Sequence, residues 1–577
     1  MRRTWLVTLL YLVACSSSSP GGDDDHGPGD GGGDGPITPP GPRLIPGPDE
    51  TGFDPALAAK AHAYDRQFRV FAAMPFGLSL DAQIPDPGDR ALVTAFLQQD
   101  ATDDFAAFTA AQGTPRSVRD IVAFYDEHGD LGMFAGAAAA GEAFRYMALR
   151  GRASVEEIDQ ARADLLRAIE SFHVAATITG TPGTVARGIR RLDEPGEAPA
   201  TEPPPSSCPQ PGDRGNRWRP DGSGQHPELI YNDNNSKDQI IGYVFALGAF
   251  WDAIANDPAI PQATRDQVQA DALALARSLM QPVQLGFTGQ ADLVIRDWHD
   301  CPTKHLDLNP RVVPIDGFDP LVLSETATNQ NGWNALASLG VVRTLYHVTG
   351  DAEVGRYYYD ELVGRRDFPR LAVTGPARTS AMYQDGNLQT NFSNVNMAFT
   401  AAYGVLRYES DPALRATYEQ ILATELWDAG HPHDAASMQQ AFFNLIYAAF
   451  RTAGNDVPST TNATTQLGEF VAPPYFDAVV ENCDGNELAA GSCLAIDGTT
   501  TIMLVAPGQA KSRDPVPKRV RPPSNFEWRS DPRDVNGGGS IRLDPGGDFR
   551  SAYWMGRILL DATAGADNLS PVARPRP

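Results

Sequence analysis

The stretch QIIGYVFALGAFWDAI, residues 239–254, is apolar on every side of a helix, with Ile240, Ile241, Val244, Phe245, Leu247, Phe250, Trp251 and Ile254 spread around its whole circumference. A helix without a wet face must be enclosed on all sides, and this one is shorter than the ~20 apolar residues of a bilayer span. It is expected to stand inside a helical protein. After the turn DPAIPQATRD, the next helix sets Val268, Ala272, Leu275 and Leu279 on one stripe among Asp, Gln and Arg, so one of its faces should be wet.

This unit of buried helix, turn and amphipathic helix recurs along the chain. GMFAGAAAAGEAFRYMALRG (132–151) precedes SVEEIDQARADLLRAIESFHVAATITG (154–180), where Ser154 and Glu157 form a capping box. NGWNALASLGVVRTLYHVTG (331–350) closes at Gly350 and restarts at Asp351; NVNMAFTAAYGVLRYES (394–410) is followed by Asp411 as cap and Pro412 at the first helical position. ASMQQAFFNLIYAAFRTAG (436–454) and FRSAYWMGRILLDA (549–562) are a fifth and a sixth buried type, without long partners directly after them. ALAAKAHAYDRQFRVFAAM (56–74) can close a ring from the N-terminal side. Six buried helices alternating with wet-faced ones predict a mainly α fold, an (α/α)6 barrel or six-hairpin toroid with long loop insertions; an open helical solenoid is the alternative. LAIDGTTTIMLVAP (494–507) alternates β-branched and small residues and predicts a short β-hairpin near the C-terminal third.

The chain resembles the six-hairpin glycosidase-like superfamily, and more narrowly uncharacterised bacterial lipoproteins carrying that toroid, through TPGTVARGIRR (181–191), NNSKDQIIGY (234–243), PPSNFEWRSDP (522–532) and DFRSAYWMGR (548–557). The resemblance covers residues 120–565, interrupted by insertions at 191–230 and 455–525. Residues 49–119 are expected to pack on the toroid as a helical segment and 566–577 to form a disordered tail. The resemblance implies the fold; the close relatives bring no activity to carry over.

MRRTWLVTLLYLVAC, residues 1–15, has two arginines, an apolar run from Trp5 to Val13 and Ala14 before Cys15, the layout of an export signal. Leu12-Val13-Ala14-Cys15 resembles the bacterial lipobox, which implies cleavage before Cys15 and lipidation of that cysteine. Residues 16–48 hold almost nothing that can pack and are expected to be a flexible acidic tether. The expected location is the bacterial cell envelope, lipid-anchored; Ser16 in place of an aspartate favours the outer membrane or cell surface over the inner membrane. A net charge of −25 argues against a nucleic-acid partner, which needs a basic footprint. Four cysteines remain beside Cys15. Cys483 and Cys493 flank a polar loop and are expected to pair, which leaves Cys208 for Cys301; a zinc site would want shorter spacing and nearby histidines.

If the inner helices run parallel, the polar residues just ahead of them share one face. Asp238 is the lead catalytic carboxylate, with Glu527 and Asp548 as partners, and Asp130 and Glu325 are further carboxylates there. Asp130, Asn235, Glu325, Asn331, Trp333, Asn394, His433, Trp528, Arg529 and Tyr553 form the expected substrate-binding set. Amides and carboxylates pair with sugar hydroxyls, and rings stack on pyranose faces. Each Asn or Asp taken singly also reads as an ordinary helix cap, and Arg529 can equally salt-bridge Asp531. Glycoside hydrolysis needs two carboxyls, about 5–5.5 Å apart for retention or roughly 6.5–9.5 Å for inversion. A lyase would instead use His431 or Tyr553 as base with an arginine such as Arg557. His431, His433 and Asp434 invite a metal reading that no third cluster supports, and NDNNSKD lacks the glycine and glutamate of a calcium loop. No metal or cofactor is expected. The expected function is binding of a polysaccharide or glycoside and, where the carboxylates pair, its hydrolysis; the alternatives are a non-catalytic glycan-binding or scaffold lipoprotein and a polysaccharide lyase.

Overall fold

A computed structural model describes residues 43–560, apart from 74–80, 100–101, 127, 203–207, 209–215, 286–288, 315–320, 324–329, 376–377, 384–392, 428–434, 437, 452–456, 477–478, 523–530 and 540. The signal, Cys15, the tether and the tail therefore lie outside the described residues.

The helices that build the fold are α1 (Pro55–Gln67), α2 (Leu131–Leu149), α3 (Val155–Thr177), α4 (Lys237–Ile254), α5 (Gln262–Met280), α6 (Gly332–Thr349), α7 (Ala352–Arg356, continued by a π-helical segment to Arg365), α8 (Ser393–Tyr408), α9 (Pro412–Ile421), α10 (Ala441–Phe450), α11 (Val457–Glu469) and α12 (Gly547–Ile558). Among the short strands are β1 (Asp81–Gln83), β2 (Phe124–Asp126), β3 (Gly188–Arg191), β4 (Trp218–Pro220), β5 (Leu229–Asn232), β6 (Ser492–Leu494), β7 (Thr501–Met503) and β8 (Arg542–Leu543).

Helices α2, α4, α6, α8, α10 and α12 each pack on the next, and α12 packs back on α2, so the ring closes. This excludes the open solenoid. The apolar pattern explains the burial: every residue from Gln239 to Phe250 in α4 and from Gly332 to Val348 in α6 is buried. The outer helices show the expected single dry stripe, which in α5 is Val268, Ala272, Leu275, Ala276 and Leu279. Outer partners are α3, α5, α7, α9 and α11, and α1 covers α12. The N-terminal segment expected to close the ring is instead the outer cover of α12, and closure itself comes from α12 on α2.

Contacts advance together along neighbouring inner helices, which makes them parallel. Gly132 meets Gln239 and Phe144 meets Phe245; Lys237 covers Trp333 and Asp252 reaches His347. Trp333 reaches Asn394 and Arg343 reaches Tyr408; Phe399 stacks on Phe443 and Tyr403 meets Phe450. Helix α12 runs the same way: its first turn lies beside Lys518, near the Arg521 that donates to Met438 ahead of α10, while Gly556 lies against Leu445.

Two buried polar clusters fasten the ring. On the α12 side, Arg550 Nε donates to Asp65 Oδ1 (2.8 Å) and Arg550 also pairs with Glu142. Arg145 Nε lies 3.3 Å from Asp65 and its Nη1 donates to Asp164 at 2.9 Å, so α1, α2, α3 and α12 share one network. At the C-terminal ends of α4, α6 and α8, Asp252 contacts His347 (2.7 Å), Arg407 (3.3 Å) and Tyr408 (3.3 Å).

The strands lie in the connections between helices. β8, β1 and β2 form an antiparallel sheet, β3–β5–β4 a second, and β6 with β7 the hairpin predicted near residue 500. Cys208–Cys301 and Cys483–Cys493 are disulfide-bonded, as their arithmetic predicted.

Helices α2 and α4 approach at glycines: a methyl group on Gly242 would lie 2.4 Å from the carbonyl oxygen of Gly132. Gly242→Ala is expected to cost about 1–3 kcal/mol through overpacking, read as a lower urea midpoint. Gly468→Ala, where an added methyl meets nothing within 4 Å, should leave the midpoint level or slightly raised.

Candidate functional site

The parallel ring brings the starts of α2 and α4 side by side. A 3-10 turn, His128–Asp130, leads into α2, and β5 leads into α4 through Asp233–Ser236. Gly188 allows the two approaches to touch, since a Cβ there would lie 1.9 Å from the His128 carbonyl oxygen. Asn234 takes a left-handed turn with φ of 60°, a conformation that asparagine tolerates better than most residues.

Between these approaches stands a small polar constellation. Gln239 Oε1 accepts from the Met133 amide at 2.9 Å, satisfying one of the otherwise open N–H groups in the first turn of α2. That bond fixes the amide so that Nε2 faces the carboxylates, donating to Asp130 Oδ1 at 3.1 Å and to Asp238 Oδ2 at 3.2 Å. Sharing one donor, these two oxygens are no more than about 6.3 Å apart. Arg187 spans the other side, with Nη1 donating to Ser236 Oγ at 2.7 Å and Nη2 to Asp130 Oδ1 at 3.3 Å. Ser236 Oγ donates in turn to Asp238. Ser236 is the N-cap of α4 by backbone position, but its hydroxyl caps no amide of that helix. Asp238 accepts from the side chains of Ser236 and Gln239 and is half-buried; the Asp130 side chain is 33% exposed. Both carboxylates sit at helix N-termini.

A second pair of carboxyls lies behind the α4 approach. Asp233 accepts from the Arg217 amide at 2.8 Å and from Arg219 Nε at 2.7 Å. Asp297 accepts from the Trp298 amide at 2.8 Å, and its own amide donates to the carbonyl of the disulfide-bonded Cys301. Burial, reinforced by the neighbouring Asp233, pushes the Asp297 carboxyl up to about 7. Asp297 does not precede a helix, so a search for polar residues ahead of buried helices passes over it; RDWHDC, an acid between Arg296 and Trp298 near a bonded cysteine, is its one local mark.

The other predicted site residues divide by environment. Asn235 is a buried strut, donating to the Val185 carbonyl at 2.8 Å and accepting from the Ser236 amide at 2.8 Å. Asn331 is the cap of α6, accepting from the amides of Trp333 (2.9 Å) and Asn334 (3.2 Å). Trp333 is 1% exposed, its indole N–H donates to the Asn394 carbonyl at 3.0 Å, and the Lys237 ammonium stands 5.0 Å above its ring, so it offers no open face for a sugar. Asn394 is half-buried in the first turn of α8. Asp548 is buried at the start of α12, 3.9 Å from Lys518 Nζ. Tyr553 is 1% exposed; its hydroxyl accepts from Arg557 at 3.1 Å and its ring stacks on Phe549, which makes this pair part of the core. Glu325, His431, His433, Asp434, Glu527, Trp528 and Arg529 lie outside the described residues. Among those described, no group of three or more His, Cys, Asp or Glu is arranged to hold a metal ion, and no helix is long and apolar enough to cross a membrane. The sequence reading named Asp130 and Asp238, but not the Gln239 and Arg187 that join them.

No family model matches the chain, and no curated protein matches it. A solved structure similar to it is the cellulase Cel9M of C. cellulolyticum, with 12% identity over 86% of this chain and 97% of that one and a TM-score of 0.32. At that identity and TM-score the overlap adds nothing to the geometry above.

Asp297 gives a pH signature. An unfolded aspartate loses its proton near ~3.9, whereas folded Asp297 keeps it to about 7. Between those values the native state binds the extra proton, so this group lowers stability as pH rises through the window. Asp297→Asn is expected to raise the melting temperature relative to wild type more at about pH 8 than at about pH 5, as measured by thermal unfolding across the range.

Proposed function

We propose that this protein binds a polysaccharide or glycoside at the face where its inner helices begin, with Asp130 and Asp238 accepting from sugar hydroxyls. One observation carries the reading: two carboxylates from neighbouring parallel helices are held by a single amide, and one of them is a third exposed. Carboxylate acceptors at a partly wet helix mouth suit hydroxyl donors, and Arg187 supplies N–H groups beside them. Glu325, His433, Glu527, Trp528 and Arg529 belong to the same reading on sequence alone.

Hydrolysis is the second reading, favoured by the separation of the pair. An upper limit of about 6.3 Å falls below the inverting range and includes the retaining distance. Because the Gln239 amide bridges the two carboxylates, reaction at this pair requires the substrate to displace one of its two bonds.

The purified protein, Asp130→Asn and Asp238→Asn are to be screened against a polysaccharide panel for retention, released reducing ends and unsaturated products. Wild type is expected to bind at least one polymer, and each variant to bind it about tenfold or more weakly, as loss of a charge-assisted hydrogen bond implies. Reducing ends that disappear in Asp238→Asn would favour hydrolysis over binding alone; retention on no polymer removes the carbohydrate reading.

Attachment to the envelope through a lipid on Cys15 is part of the proposal, supported by Leu12-Val13-Ala14-Cys15. Bacteria expressing the full chain and fed labelled palmitate should label it, and Cys15→Ala should abolish the label; equal labelling of both excludes that site.

A further inference from the structure

We infer that a second position for one neutral sugar ring lies on the wall beside the mouth, stacked on Phe124. The inference rests on the glycan reading above and extends it along the surface. A cavity of about 170 Å³, room for a single ring, opens between β2 and the end of β3. Phe124 lines it with 42% of its surface exposed, in a protein whose large apolar side chains are otherwise mostly buried. Its backbone is held by the β2–β1 pairing of Phe124 with Gln83 and by its neighbour Tyr125, whose hydroxyl donates to the Phe71 carbonyl at 3.0 Å.

The polar lining has both halves of what a sugar requires. Arg119 donates to Asp193 Oδ2 at 2.5 Å, and Arg191 Nε donates to Asp193 Oδ1 at 2.9 Å. Glu194 completes the lining, and its Oε2 lies 3.6 Å from His128 Nε2. Two guanidinium groups against two carboxylates leave no surplus charge, so the chemistry fits an uncharged pyranose, with an apolar face for the ring of Phe124 and hydroxyls for the donors and acceptors around it. A uronic acid or a phosphorylated sugar would find no uncompensated cation here.

Of the two chain segments that build this cavity, one leads to Asp130 and the other to Arg187, which donates to it. From Phe124 the chain reaches Asp130 in six residues, and β3 carries Arg191 at the cavity and leads back to Arg187 at the mouth. Four residues of extended chain span roughly 13 Å, so one glycan of several units can touch both places, while a short one reaches only the mouth.

Isothermal titration calorimetry with cellotriose and cellohexaose, maltotriose and maltohexaose, and xylotriose and xylohexaose tests this on wild type, Phe124→Ala, Phe124→Trp and Asp238→Asn. For a sugar series that binds, Phe124→Ala is expected to weaken the hexasaccharide about tenfold and leave the trisaccharide unchanged. Phe124→Trp should bind like wild type, which a merely structural role for the phenylalanine would not predict. Asp238→Asn should weaken both lengths. If wild type binds and Phe124→Ala matches it at both lengths, or loses both equally, the second position is overturned while the mouth stands. If wild type binds none of the six, both readings fall.

Discussion

Arg550 sits at the centre of a buried ionic knot on which the toroid depends. It joins Asp65 of the first helix and Glu142 of the first inner helix from within the last inner helix, and Arg145 extends the knot to Asp164 of α3. Charges removed from water lose hydration worth several kcal/mol per ion, so such a network adds little net stability over apolar packing. What it does is discriminate. Any arrangement that separates α12 from α1 and α2 leaves carboxylates and guanidinium groups buried without partners, at a cost of about 3–5 kcal/mol for a broken pair. Ring closure is thereby the arrangement in which these charges are satisfied together.

Closure with all inner helices parallel has a chemical result at one end. Each helix brings unsatisfied N–H groups and the positive end of its dipole to the same face. Two of the polar residues there answer that demand directly: Asn331 caps α6, and Gln239 reaches across to serve α2. Asp130 and Asp238 are different. Their carboxylates accept from the side chains of Arg187, Ser236 and Gln239, which tie the approaches to α2 and α4 together.

Much of this architecture was legible in the chain because it follows from periodicity. Residues 239–254 have no wet face and can only be interior; Val268, Ala272, Leu275 and Leu279 can only be one side of an outer helix. The hairpin near residue 500 and both disulfides followed from local alternation and cysteine spacing. Side-chain direction was not legible. Trp333 and Tyr553 had the right type and the right neighbourhood for sugar stacking, yet each turns into the core, where the indole N–H and the hydroxyl find partners. Arg187 and Gln239 were unremarkable in sequence, since their role arises only where two chain segments about fifty residues apart and two adjacent helices converge. Asp297 was hidden for the same reason: its perturbation comes from burial beside Asp233, a residue on another segment.

The bond between Asp65 and Arg550 spans 485 positions of the chain. A ribosome therefore releases nearly the whole polypeptide before the partner of the first helix exists, and until then Glu142 and Arg145 belong to an unfinished arc with no closing element. Contacts of such long range slow folding, and here they defer it until the C-terminal helix has been made. No N-terminal fragment of the chain, however long, holds the closing pairs unless it includes the last inner helix.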